Sequence, residues 1–192
     1  MSDAKKSALI VVDVQRDFCE GGALAASDTL SLLVPLQQTI EEARRAGSTI
    51  VFTKDWHPAS HSSFNPNGGP WPIHCVENTL GAELMPPVAT VPGDIIIHKG
   101  VPVDGPGYSG FDATELAAKL SQRGISNVAV TGVATEYCVR ATALDAAANG
   151  FSTVVLEDVI RAVNVGETEK ILTELKNSGV NIATSKQWLE NL

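Results

Sequence analysis

The hydrophobic positions of this chain follow two periods. Ala8-Leu9-Ile10-Val11-Val12 is an unbroken apolar, largely β-branched run, the pattern of a strand covered on both faces. Residues 49–53, 94–97, 127–131, 153–156 and 180–183 carry similar runs. Between them the apolar positions take helical spacing. Leu36, Ile40 and Ala43 lie on one helical face, with Pro35 expected in the first turn and Gly47 at the end. Asp112-Ala113-Thr114-Glu115 has the form of a capping box ahead of Leu116 and Leu120, and Gly124 closes that segment. Thr135 is the expected N-cap of a helix that runs through Ala148 and stops at Asn149-Gly150. Thr168, Ile171, Leu172 and Leu175 share a face that ends at Gly179. This β-α-β-α order predicts an α/β fold, a three-layer sandwich whose six-stranded, mostly parallel sheet carries helices on both faces.

Two stretches break the rhythm. Residues 19–28 and 56–92 are rich in Gly, Pro, Ser and Asn. The second is too long for a plain connector, which marks it as a functional loop. Neither reads as an interdomain linker and no internal repeat is present, so residues 1–192 are expected to form one domain.

Composition narrows the function classes. A chain of 192 residues with 44% hydrophobic and 19% charged positions can bury a core without staples. A net charge of -8 and a pI near 4.9 oppose a nucleic-acid surface, which requires basic patches. No apolar run is long enough to span a bilayer, and the polar start Met1-Ser2-Asp3-Ala4-Lys5-Lys6-Ser7 lacks a signal segment. Cys19, Cys75 and Cys138 are odd in number and far apart, so a reducing cytoplasm is expected rather than a disulfide framework.

The chemistry-bearing residues gather behind the strands, where ligands bind in open parallel sheets. Asp13 directly follows the first strand, Asp55 and His57 the second, and Lys99 the run Ile95-Ile96-Ile97-His98. Cys138 falls in the first turn of the helix after residues 127–131. There the free N–H groups and helix dipole favour thiolate and offer an oxyanion site, with Gly132-Val133-Ala134 as a tight turn before it. Cys138 is therefore either the candidate nucleophile or a small packing residue. Asp13, among Val11, Val12 and Val14, is a candidate general base with a raised pKa, or a turn cap. Lys99 is a candidate for orienting the pair, or a solvated lysine.

Three of the four histidines lie close together in Asp55-Trp56-His57-Pro58-Ala59-Ser60-His61 and Trp71-Pro72-Ile73-His74-Cys75. Carboxylate and imidazole suit Zn²⁺, Fe²⁺ or Mn²⁺. Asp55 and His57 alternate in an extended segment and so can face one side. His74 is a third candidate ligand, and His61 a fourth ligand, a group behind the ligands, or one bridged by solvent. Cys75, next to His74, is a candidate soft-metal ligand, with a packing role put ahead of it. Phe18, Trp71 and Tyr108 are candidate walls for an aromatic substrate or ordinary core, and residues 105–111 are a glycine-rich, flexible loop lining the site.

Taken together, Val12-Asp13-Val14-Gln15-Arg16-Asp17-Phe18, Cys19-Glu20-Gly21-Gly22-Ala23-Leu24, Thr53-Lys54-Asp55-Trp56-His57-Pro58, Trp71-Pro72-Ile73-His74-Cys75, His98-Lys99-Gly100, Tyr108-Ser109-Gly110-Phe111 and Gly132-Val133-Ala134-Thr135-Glu136-Tyr137-Cys138-Val139 resemble the nicotinamidases of the isochorismatase-like hydrolase superfamily. The motifs span most of the chain in family order. The resemblance implies a catalytic triad of Asp13, Lys99 and Cys138. It implies a cis peptide at Val133-Ala134, oxyanion donors from the Ala134 and Cys138 amides, and substrate contacts from Val133 and Ala134. It also implies one divalent ion on Asp55, His57 and His74, with His61 where some members supply a further ligand. The implied activity is hydrolysis of nicotinamide, and of pyrazinamide, to the acid and ammonia in NAD salvage. The assembly would be a monomer or homo-oligomer. The alternatives are a cysteine amidohydrolase for another acid amide, and a non-enzymatic metal-binding domain.

Overall fold

The structure, a computed structural model, describes residues 6–105 and 107–192. Met1-Ser2-Asp3-Ala4-Lys5 and Pro106 of the glycine-rich loop lie outside the described residues.

The apolar run at the start forms strand β1 (Lys6–Val12), in which Ala8 to Val12 are fully buried. It sits inside a sheet of order β3-β2-β1-β4-β5-β6, whose other strands are β2 (Thr49–Asp55), β3 (Ile95–Lys99), β4 (Ile125–Val133), β5 (Ser152–Arg161) and β6 (Asn181–Ala183). Each neighbouring pair is parallel, so the expectation of a six-stranded, doubly wound sheet holds, and the sheet is parallel throughout.

Alternating side chains divide the interior in two. Leu9 and Val11 pack with Leu32, Leu36, Ile40 and Ala43 of helix α1 (Thr29–Arg45) and Trp188 of α5 (Ser185–Leu189). Ala8, Ile10 and Val12 face the other way, onto Leu116 and Leu120 of α2 (Leu116–Gln122), Ala143 and Ala146 of α3 (Arg140–Ala148), and Ile171 and Leu175 of α4 (Thr168–Asn177). A period of two on the strands thus places a helical layer on each face.

Five local expectations are corrected. Helix α1 starts at Thr29, so Pro35 is interior to it rather than in its first turn. Pro35 lies on the exposed side, where the carbonyl that loses its N–H partner is open to water, while buried Thr29, Leu32 and Leu33 secure the first turns. The capping box at Asp112 does not form. Ala113 takes a φ of 52, which stops a helix from starting there, and the Leu116 N–H donates instead to Thr114 Oγ1 at 3.3 Å. Thr135 opens a π-helical turn, Thr135–Val139, instead of capping α3; the cap position falls to Ala134. Gly132 and Val133 end strand β4 rather than forming a turn. Strand β5 also runs beyond its apolar stretch, through Glu157 and Asp158 to Arg161.

Candidate active site

Four strand ends and one helical turn meet at the carboxyl edge of the sheet. Asp13 leaves β1 with a φ of 49, which turns the chain out of the strand. Asp55 and Lys99 are the last residues of β2 and β3 and are register partners. Cys138 is carried over them by the π-helical turn after β4. All four side chains are buried.

Lys99 is the hub of this group. Its Nζ lies 2.8 Å from Asp13 Oδ2, 3.3 Å from Cys138 Sγ and 2.9 Å from the Gly107 carbonyl, and it also donates to Asp55 Oδ1. The Thr53 hydroxyl donates to Asp13 Oδ1 at 2.6 Å. One ammonium therefore faces two carboxylates and a thiol in a site closed to water.

The electrostatics follow from that closure. Burial works against the Lys99 charge, yet Asp13 and Asp55 outweigh it and hold the ammonium well above the ordinary lysine value. Burial pushes the Asp13 carboxyl up, with Lys99 pulling the other way and Asp55 adding to the rise. Burial also raises Asp55, but Lys99 and His57 overcome it and keep that group ionised far below the usual carboxylate range. The Cys138 thiol goes well above its ordinary value: burial dominates, Lys99 opposes it, and Asp13 and Asp55 reinforce it. Burial and the two carboxylates thus work against the thiolate that the helical turn is expected to favour. A thiol of this kind needs a base at hand, and the raised Asp13 carboxylate is suited to take its proton.

The second oxygen of Asp55 points the other way, 3.4 Å from His57 Nε2 and 3.9 Å from His74 Nε2. One ligand-capable atom from each of Asp55, His57 and His74 lies within 4.8 Å of the others. His57 Nδ1 lies 2.9 Å from the Gly100 carbonyl and His74 Nδ1 2.7 Å from the Pro72 carbonyl. Those carbonyls can only accept, so each Nδ1 carries the ring proton and each Nε2 offers a lone pair to the shared space. A carboxylate and two imidazoles so presented fit a divalent ion of the zinc, iron or manganese type. His61 is arranged differently. Its Nδ1 lies 2.7 Å from the Ser63 hydroxyl and 3.2 Å from the Ser63 backbone nitrogen, and its buried Nε2 has no hydrogen-bond partner among the described residues. His61 is absent from the converging set, and its ring packs on His57 with centroids 4.1 Å apart. Cys75 is fully buried in the core beneath α1, with its thiol near the Gly81 carbonyl, and is likewise outside the set. The fourth histidine, His98, stacks on Trp56 with centroids 4.4 Å apart, away from the other three.

A cavity opens onto both groups of residues. Phe18, Trp71, Tyr108 and Ala134 line it with Asp55, His57, His74 and Cys138. Val133 does not line it; the residue is wholly buried in the core behind, and the Val133-Ala134 peptide is cis. Leu24, Ser63, Tyr137 and Val163 complete the wall and were not anticipated. Tyr137 precedes the thiol by one position, and its ring meets Trp71 edge-on at 5.1 Å, so its place in the motif was a usable signal. Leu24 likewise stands in one of the family motifs, whereas Ser63 and Val163 come from loops outside every motif and carry no signal. The described part of the glycine-rich loop is tied down by Lys99 at the Gly107 carbonyl, by Trp71 Nε1 at the Tyr108 hydroxyl at 3.1 Å, and by the Gly110 N–H to Thr142 Oγ1 at 3.0 Å, among other bonds.

These features define a class: an α/β protein whose single parallel sheet presents a buried thiol, an ammonium and two carboxylates beside a metal-competent Asp-His-His set. Residues 7–187 match the Isochorismatase domain, and the chain belongs to that family. It is 39% identical over 186 residues to the nicotinamidase/pyrazinamidase of Mycobacterium tuberculosis, covering 93% of this chain and 98% of the relative. The crystal structure of the Pyrococcus horikoshii pyrazinamidase in complex with zinc superimposes with a TM-score of 0.90 at 44% identity, over 93% of this chain and 99% of that one. The structure of PnC1 from L. infantum in complex with nicotinate gives 0.86 at 38% identity, over 95% and 94%.

Proposed function

We propose that this protein is a nicotinamidase that hydrolyses nicotinamide to nicotinate and ammonia in NAD salvage, and that it accepts pyrazinamide as well. The observation that carries the reading is the contact of Lys99 with Asp13, Asp55 and Cys138 on the floor of an aromatic-walled cavity. The nicotinamidase and pyrazinamidase relatives, alike over most of their length, support it.

Asp13 takes the proton of Cys138, and the thiolate attacks the amide carbonyl while Lys99 holds the two groups together and balances their charge. The Ala134 and Cys138 amides stabilise the oxyanion. The C–S bond forms and the C–N bond breaks as Asp13 returns the proton to the leaving ammonia. Water then adds to the thioester with Asp13 again as base, releasing the acid and the thiol. Asp55, His57 and His74 would hold the ion, with zinc the proposed metal and iron or manganese compatible with the same donors. When bound, the ion supplies a Lewis-acid grip on the ring nitrogen and so positions the amide over Cys138. Phe18, Trp71, Tyr108 and Tyr137 exclude water and flank the flat ring. His61 stays outside the ligand set as a packing partner of His57.

We also infer that residues 1–192 form one domain, since strands from Lys6 to Ala183 share one sheet. A cytoplasmic setting suits Cys19, Cys75 and Cys138, all free and buried. No helix among the described residues is long and apolar enough to cross a membrane.

Ammonia release from nicotinamide, pyrazinamide and aliphatic amides, measured before and after chelation, tests the reading. Turnover of the ring amides that falls on chelation is expected. Preference for an aliphatic or carbamoyl amide, or full activity without metal, overturns it.

A further inference from the structure

Strand β1 ends at Val12, the register partner of Thr53, and the chain turns away at Asp13, whose N–H still donates to the Thr53 carbonyl. Asp55 on β2 therefore has no strand to pair with on its β1 side, although its peptide groups are buried. Gln15 fills that gap. Its Oε1 accepts from the Asp55 N–H at 2.8 Å, and its Nε2 donates to the Asp55 carbonyl at 2.8 Å. The side-chain amide stands in for a missing strand peptide and continues the ladder by one rung. The same Nε2 donates to the Ala82 carbonyl at 3.0 Å, and Gln15 is fully buried with every polar atom of its amide engaged.

Two residues on, Asp17 makes a matching contact with the other limb of the site. Its Oδ2 accepts from the Cys75 N–H at 2.7 Å, directly after His74. Cys75 has a φ of 44, so this residue is held in a conformation that it would not adopt unaided. Both clamps rest on one turn. Ala82 meets Gln15, and a Cβ on neighbouring Gly81 would fall 2.1 Å from Asp17 Oδ2.

We propose that Gln15 and Asp17 are positioning residues that together set the spacing between Asp55 and His74, and hence the affinity of the ligand set for its ion. The inference rests on the metal-dependent reading given above. Neither residue reaches the cavity; each acts through the backbone of a ligand or of its neighbour. Groups that orient metal ligands commonly change metal affinity about 10- to 100-fold when lost.

The test uses the full chain, stripped of metal and titrated with Zn²⁺ against a chromogenic chelator. Ammonia release by the unmutated protein tests the functional reading, whereas its Zn²⁺ affinity is the reference for the inference. Gln15→Glu keeps an acceptor for the Asp55 N–H and loses both donated bonds; Gln15→Met loses all three. Each is expected to weaken Zn²⁺ binding about 10- to 100-fold. Asp17→Ala should do the same, and Asp17→Asn, whose amide oxygen still accepts from Cys75, should restore it. Side chains that serve only the fold would lower the melting point of the metal-free protein and leave Zn²⁺ affinity of the folded fraction unchanged, which overturns the proposal. A chain that binds no Zn²⁺ overturns it too. Where the variants do not fold, the Gln15 side-chain amide of the ¹⁵N-labelled unmutated protein decides: a shift on adding Zn²⁺ supports the proposal, and no shift overturns it. Weakened Zn²⁺ binding in the variants of a protein inactive on nicotinamide leaves the inference standing and removes only the functional reading.

Discussion

Lys99 donates to one oxygen of Asp55, and the other oxygen of the same carboxylate faces His57 and His74. A single side chain thus borders both the thiol centre and the candidate ion site. Substitutions of the three metal-facing residues should for that reason not be equivalent. His74→Ala is expected to lose metal and leave the alkylation rate of Cys138 unchanged. Asp55→Asn should lose metal and also speed alkylation near neutral pH, since a carboxylate that raises the thiol pKa is gone. Metal analysis and iodoacetamide kinetics on the same samples check this; equal alkylation rates in the two variants would count against the shared carboxylate.

Removing the proposed nucleophile should be far more severe than removing a proposed ligand. Cys138→Ala is expected to cut kcat by roughly 10⁴- to 10⁶-fold while metal content stays at the level of the unmutated protein. Single-turnover ammonia release reads the first effect and metal analysis the second.

The acid limb of the pH profile should report Asp13. Burial raises its carboxyl above the ordinary value of 3.8. The base must be ionised to take the thiol proton, so kcat/KM is expected to fall as pH drops through that raised value and to be retained above it. Asp13→Asn should abolish most activity and, in the residue that remains, the acid limb. A limb that persists in Asp13→Asn assigns it to another group.

Gly100 is expected to tolerate no side chain. Its φ is 65, and a Cβ there would lie 2.2 Å from His57 Cε1. Gly100→Ala carries about 1–2 kcal/mol for the left-handed backbone alone. It must also displace the ring whose Nδ1 meets the Gly100 carbonyl. A lower melting point for the metal-free protein and weaker Zn²⁺ binding are both expected; an unchanged Zn²⁺ titration would show that the ring position does not matter.

Phe64 is fully buried and lies edge-on to His57 and His74, with centroids 5.5 and 5.3 Å away. Phe64→Ala is expected to cost about 3–5 kcal/mol in urea denaturation of the metal-free protein. A loss below about 1 kcal/mol would mean that the long loop contributes little to the folded core.

The parts of this molecule that sequence made legible share one physical property: a strong local pattern. Strand β1 is apolar on successive positions because both of its faces are covered. Asp13, Asp55 and Lys99 stood out as polar groups where apolar strands stop. The parts that were misread depend on neighbours distant in sequence. Pro35 looked like a helix start because nothing local tells that Thr29, Leu32 and Leu33 are buried against the sheet. Asp112 had the spacing of a cap, but Ala113 turns the chain the wrong way. Thr135 looked like a cap too, though its hydroxyl is buried and Ala134 takes the position. Val163 reaches the cavity from a loop after β5, held by Glu136, whose carboxylate accepts from the Val163 and Asn164 N–H groups at 3.2 and 2.7 Å. No periodicity along the chain encodes that contact. Gln15 stands inside a family motif, yet its role exists only because β1 ends before β2 does.

Asp55 and Lys99 face each other as register partners on paired strands, so their separation is fixed by the ladder itself. Trp71 and Tyr108, by contrast, belong to the connections that leave those strands. The proposed reacting groups thus sit on the paired strands and the proposed ring-contacting groups on the connections, with the Lys99 bond to the Gly107 carbonyl joining the two. A graft between His61 and His74 that keeps Phe64 against His57 and His74 would vary the cavity wall at Trp71 without touching the Asp55–Lys99 pair.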